Sequence, residues 1–140
     1  MVMNEGADET PHIKPWYNEE NIRSWLVNWL RDHGYFQMTD MTIRGAETDL
    51  IVRSIYGATS RITVRGYPED NRQDVARQWF ACAVFDLARH QHREADIGLA
   101  LALPADFTSY TTLAAEIGWL RDAMPFTIYW VSQSGTVHAE

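Results

Sequence analysis

Cysteine is nearly absent. Cys82 is the only one in 140 residues, so no internal disulfide can staple the fold and a packed core must supply the stability. It stands inside the apolar run WFACAVF, where it reads as a small core residue in a reducing compartment. Long apolar runs are lacking too. That run and IGLALAL are far shorter than the roughly 20 residues a bilayer-spanning helix needs, so no membrane partner is expected. Positive charge is scarce, with 12 Lys plus Arg against 19 Asp plus Glu and a formal charge of −7. This excludes a general nucleic-acid coat, because phosphate binding draws on clustered cations; a small local site of opposite sign stays open. There is no Gly-rich phosphate loop, and no Ser or Cys stands in a recognisable nucleophile setting. The opening MVMNEGADET is acidic and lacks the basic-then-apolar layout of a signal peptide. A soluble, cytoplasmic protein is the expectation.

What is present fits one domain. Residues 1–15 are polar and without periodicity and read as a flexible tail; residues 16–140 form the domain. Six Trp suit a bulky core, or a partly aromatic surface used for self-association. Asn18 is a natural N-cap, Glu19 and Glu20 suit the positive end of a helix dipole, and Gly34 suits the position after the helix end. Between them Ile22, Trp25, Leu26, Trp29 and Leu30 recur at i, i+3, i+4, i+7 and i+8, one apolar stripe. YFQMTDMTIRG reads as a strand, and DLIVRSIY and RITVRGY as a hairpin about GATS. Alternation puts Asp49, Ile51 and Arg53 on one face and Leu50 and Val52 on the other; Arg61, Thr63 and Arg65 oppose Ile62 and Val64. A second helix runs from near Arg72 to about His92. Its middle is apolar almost all round, so cover on more than one side is expected. DIGLALALP reads as a strand buried on both faces. A third helix lies within FTSYTTLAAEIGWLRDA, and FTIYWVS is a last strand. The order α-β-β-β-α-β-α-β predicts an α/β sandwich with a central mixed sheet, parallel where helices cross over.

This order, together with GAETDLIV and RITVRGYP, resembles the PD-(D/E)xK superfamily of restriction-endonuclease-like folds. The likeness runs to its small stand-alone members similar to Mrr-type and Holliday-junction-resolving nucleases, and it spans about residues 16 to 133. The resemblance implies a metal ligand at Asp49, a second acid where Thr63 stands, and a lysine where Arg65 stands. Catalysis in such a site needs two carboxylates on Mg²⁺, which prefers oxygen ligands in octahedral geometry and activates water against the phosphate. Thr63 is a neutral, poor ligand, and Arg65 cannot release a proton near neutral pH. The implied reading is a catalytically degenerate nuclease fold serving as a binding or assembly module, with no cofactor expected.

The alternative is an active Mg²⁺-dependent nuclease with a relocated acid. Glu47 beside Asp49 is the first candidate ligand, Glu19 and Glu20 are others, and Gln78 or Ala81 takes the place where relatives carry a glutamine. His90 and His92 are i, i+2 and do not face one ion, whereas Asp86 and His90 are i, i+4 and suit a pair. Arg53, Arg61 and Arg65 offer an anion-binding surface for phosphate or nucleic acid, unless they pair across the sheet with Glu47 and Asp49. Arg65 against Asp49 would fill the space of a metal. A homodimer or another protein is the expected partner.

Overall fold

The computed structural model describes residues 14–44, 47–93 and 96–140, with the side chains of 37–44 and 47–48 left aside. The tail assigned to 1–15 therefore lies outside the described residues except for Lys14 and Pro15. Helix α1 spans Glu19–Asp32. The Asn18 side chain caps it by accepting from the Asn21 backbone N–H at 2.9 Å, which satisfies one of the amides that a helix start leaves without a partner. Gly34, at φ +89°, turns the chain out of the helix in a conformation only glycine adopts without strain.

Strands β1 (Tyr35–Arg44), β2 (Glu47–Ser54) and β3 (Thr59–Val64) form an antiparallel meander. Helix α2 (Gln73–Arg93) crosses to β4 (Gly98–Pro104), which pairs parallel to β3. Helices α3 (Thr108–Glu116) and α4 (Gly118–Ala123) lead to β5 (Thr127–Val131), parallel to β4, and β6 (Val137–Ala139) returns antiparallel. The result is α/β with a six-stranded mixed sheet in the order β1-β2-β3-β4-β5-β6. Two details differ from the expected order. The third helix is two, broken at Ile117, and the sheet gains β6. A three-residue strand is too short to show alternation, and Val137 alone marks its inward face.

The sheet separates two cores. On one face Ile22, Leu26 and Leu30 of α1 pack on Leu50, Val52, Ile62, Val64 and Val131. On the other, Phe80, Ala83 and Leu87 of α2 and Tyr110 of α3 pack on Leu101, Leu103 and Ile128. The strand β4 serves both: its leucines face α2 and α3, and Ala100 and Ala102 face α1. Alternation along β2 and β3 thereby sends Leu50, Val52, Ile62 and Val64 toward α1 and turns the opposite row, Asp49, Arg61 and Thr63, toward α2. No helix among the described residues is long and apolar enough to cross a membrane.

Two expectations about α2 are corrected. Cys82 is exposed rather than in the core. The helix is covered on the side facing the sheet and α3, while Phe85 (64% accessible) and Trp79 (39%) stand out on the other. An all-round apolar segment carries no sign of which flank will be left open.

Gly66 follows β3, where the chain passes against the start of α1. A Cβ on it would lie 2.7 Å from both the Tyr17 carbonyl oxygen and the Glu19 nitrogen. Its own carbonyl accepts from the Tyr110 hydroxyl at 2.7 Å, so the segment is held from both layers. Gly66→Ala is expected to lower stability by roughly 1–3 kcal/mol, the usual scale of overpacking, measured by urea denaturation.

Burial, with Tyr35 beside it, raises the Tyr129 hydroxyl from its ordinary 10.0 to about 12. The folded state thus holds this proton where the unfolded chain has lost it. The contribution is complete below pH 10 and disappears as pH rises through about 12. Unfolding midpoints are expected to fall across that window, with phenolate absorbance of Tyr129 delayed relative to its titration in denaturant; replacing Tyr129 by Phe should remove its share.

Candidate functional site

The register of the hairpin sets Asp49 directly opposite Thr63. Both are fully buried, and they share the α2 side of the sheet with Arg61. The Thr63 hydroxyl donates to Asp49 Oδ1 at 3.0 Å. Arg61 Nε donates to Asp49 Oδ2 at 2.5 Å, a charge-assisted bond shorter than the usual range. From α2, His90 brings Nε2 to 3.1 Å from the same Oδ2. A second acid-centred group lies alongside. Asp86, fully buried, is 3.5 Å from Arg65 through Oδ2 and 3.4 Å from Arg89 through Oδ1. Arg65 also donates to the Val64 carbonyl at 2.8 Å. Two carboxylates and two guanidiniums, Asp49 with Arg61 and Asp86 with Arg65, are buried together between sheet and helix.

The cation on Asp49 is therefore Arg61, and Arg65 has gone to Asp86. Arg61 and Arg65 both lie on the face of Asp49, and side-chain reach decides between them. Arg53 is exposed on β2, apart from the two buried arginines, so these three do not make one exposed surface. Asp86 and His90 each reach across to the sheet. Their importance was hidden by sequence proximity, which suggested that they serve each other. The usable signal was the buried face of α2: Ala76, Phe80, Ala83, Leu87 and His90 recur at spacings of three and four, and Asp86 borders that stripe, so two ionisable groups lie on a helix face that must meet the sheet.

Of the other candidate ligands, the Glu47 side chain lies outside the described residues. Glu20 is exposed and pairs with Lys14, whose hydrogen bond and charge hold its carboxyl below the ordinary range. Glu19 lies 3.5 Å from Arg23. Gln78 and Ala81 are exposed on α2. Among the described residues, no group of three or more His, Cys, Asp or Glu is disposed to hold a metal ion. Mg²⁺ fits poorly at Asp49. Both of its oxygens are engaged, and the groups at Oδ2 are a guanidinium and an imidazole, whereas the ion requires about six oxygen ligands.

Beside this cluster runs a groove of about 750 Å³ bordered by Glu19, Arg65, Trp79, Cys82, Phe85 and Asp86. Its lining combines the apolar Trp79, Cys82 and Phe85 with the charged Glu19, Arg65 and Asp86. Gly66 makes this placement possible, because the close approach at residue 66 brings the first turn of α1 beside the end of β3.

No protein-family model, no curated protein and no solved structure matches the chain.

Breaking a buried ion pair by removing one partner typically costs about 3–5 kcal/mol, because the other charge is left stranded. Asp49→Ala is expected to lower stability by about that amount, read as a lower urea midpoint. Adding Arg61→Met should recover part of the loss. Additive losses would mean that the two side chains do not act as a pair.

Proposed function

We propose that this chain is a catalytically silent protein on a restriction-endonuclease-like scaffold and works as a binding or assembly module. The observation carrying this reading is the state of Asp49. The carboxylate that a metal-dependent nuclease of this kind would present to Mg²⁺ is neutralised by Arg61, bonded by Thr63 and approached by His90. A divalent cation arriving there would have to displace a buried guanidinium, at a desolvation cost of several kcal/mol. The strand order, the parallel crossover through α2 and the direct opposition of Asp49 and Thr63 support the scaffold. The open groove beside α2 supports binding as its use. Anion binding by the hairpin arginines has weaker support, since Arg61 and Arg65 are already committed to carboxylates.

A second reading, a Mg²⁺-dependent nuclease with a relocated acid, draws on one arrangement. Glu19 and Asp86 border the same groove as Arg65, two carboxylates outside the expected positions beside the cation at the motif's lysine position.

Plasmid and branched-duplex cleavage in millimolar Mg²⁺ or Mn²⁺ separates the two. The expected result is no cleavage above that of an Asp49→Asn control, and no shift in melting temperature on adding Mn²⁺. Metal-dependent cutting abolished by Asp49→Asn or by Glu19→Gln would establish the second reading.

A further inference from the structure

We infer that the groove between α2 and the start of α1 takes an extended peptide of a different protein, one that carries a bulky apolar side chain and, further along, lysines or arginines. The inference rests on the binding-module reading above and names its partner class.

The 750 Å³ groove beside Arg65 and Asp86 does not end at Trp79. A second cavity, of about 510 Å³, shares Glu19 and Trp79 with it and continues past Tyr67 and Pro68 to Glu69, Asp70 and Val75. One wall is a single face of α2, where Val75, Trp79, Cys82 and Asp86 recur at spacings of four, three and four. The other is the exit of β3, from Arg65 to Pro68, with Glu19 of α1. From Val75 to Asp86 the helix rises roughly 17 Å, at about 1.5 Å per residue. About five residues of extended chain cover that length. A compact ligand fills one pocket of this size; two joined end to end suit a peptide strand.

Charge selects the occupant. Glu19, Glu69, Asp70 and Asp86 line the two cavities against Arg65 alone, a net −3. Arg65 and Asp86 are buried and oppose each other at 3.5 Å, so they cancel. Arg23 lies 3.5 Å from Glu19. Glu69 and Asp70 are exposed, and among the described residues neither forms an ion pair, since the neighbouring Arg72 is committed to Asp74 at 2.8 Å. A nucleic-acid strand would bring its phosphates against these carboxylates, whereas cationic side chains are drawn to them. The apolar requirement comes from Trp79 and Phe85, 39% and 64% accessible. Trp79 borders both cavities and is the anchor for an apolar residue. Phe85 stands toward one end of the groove and Glu69 and Asp70 at the other, so the apolar and basic residues of the peptide occupy separate stretches.

Selection of random heptapeptides displayed on phage against the immobilised full chain tests this, with the affinity of selected peptides measured by fluorescence anisotropy. The expected result is enrichment of peptides that hold an aromatic residue and several Lys or Arg, with binding that weakens as salt rises. Glu69→Lys combined with Asp70→Lys should weaken binding at least about 10-fold, since it turns attraction into repulsion, and leave the circular dichroism spectrum and melting temperature unchanged. Trp79→Ser should weaken it at least about 30-fold, the scale of a central aromatic anchor. No enrichment, enrichment of acidic peptides, or binding indifferent to either variant overturns the inference. Each of these outcomes leaves the catalytically silent reading standing, because that reading falls only on metal-dependent cleavage.

Discussion

The bond between Arg61 and Asp49 is the constraint around which this molecule is arranged. A carboxylate withdrawn fully from water is tolerable only with a counter-charge in contact and its remaining lone pairs occupied. Arg61 supplies the charge and, with Thr63, bonds the carboxylate, while His90 Nε2 lies 3.1 Å from Oδ2. They come from β3 and α2, so the need to satisfy one acid ties the hairpin to the helix that covers it. Asp86 repeats the arrangement one turn earlier on α2, with Arg65 and Arg89. The interior between sheet and helix is thereby ionic at one end and aromatic at the other, where Tyr67, Phe80 and Tyr110 pack.

This division has a functional sense. A nuclease of the kind resembled would use the same location for a divalent ion, drawing positive charge from solution. Here positive charge is built in covalently, as guanidinium groups. The two buried pairs balance in charge, and beyond them Trp79 and Phe85 of α2 stand exposed.

Much of the framework was legible along the chain because its signals are local. Asn18, Gly34 and the stripe Ile22, Leu26, Leu30 define α1 without reference to anything distant. DIGLALALP announces a doubly buried strand through the absence of any polar alternation. The separation of Asp49 and Thr63 suited a hairpin, and the two are direct cross-strand partners. What escaped depends on tertiary neighbours. Alternation assigns Arg61 and Arg65 to one face but cannot say which reaches Asp49. The role of His90 appears only when α2 is laid against the sheet. Cys82 and Phe85 were obscured by an apolar segment with no polar side to point outward, and β6 was too brief to carry a period.

The twelve-residue separation between Asp49 and Arg61 bears on the order of assembly. Closing so short a loop takes little entropy, and hairpins form in microseconds. The strands β3 and β4, by contrast, must wait for a helical crossover to be spanned. The opposite charges can therefore meet while the meander is still wet, and α2 arrives over a pair already matched. Asp49 can thus be matched before it leaves water.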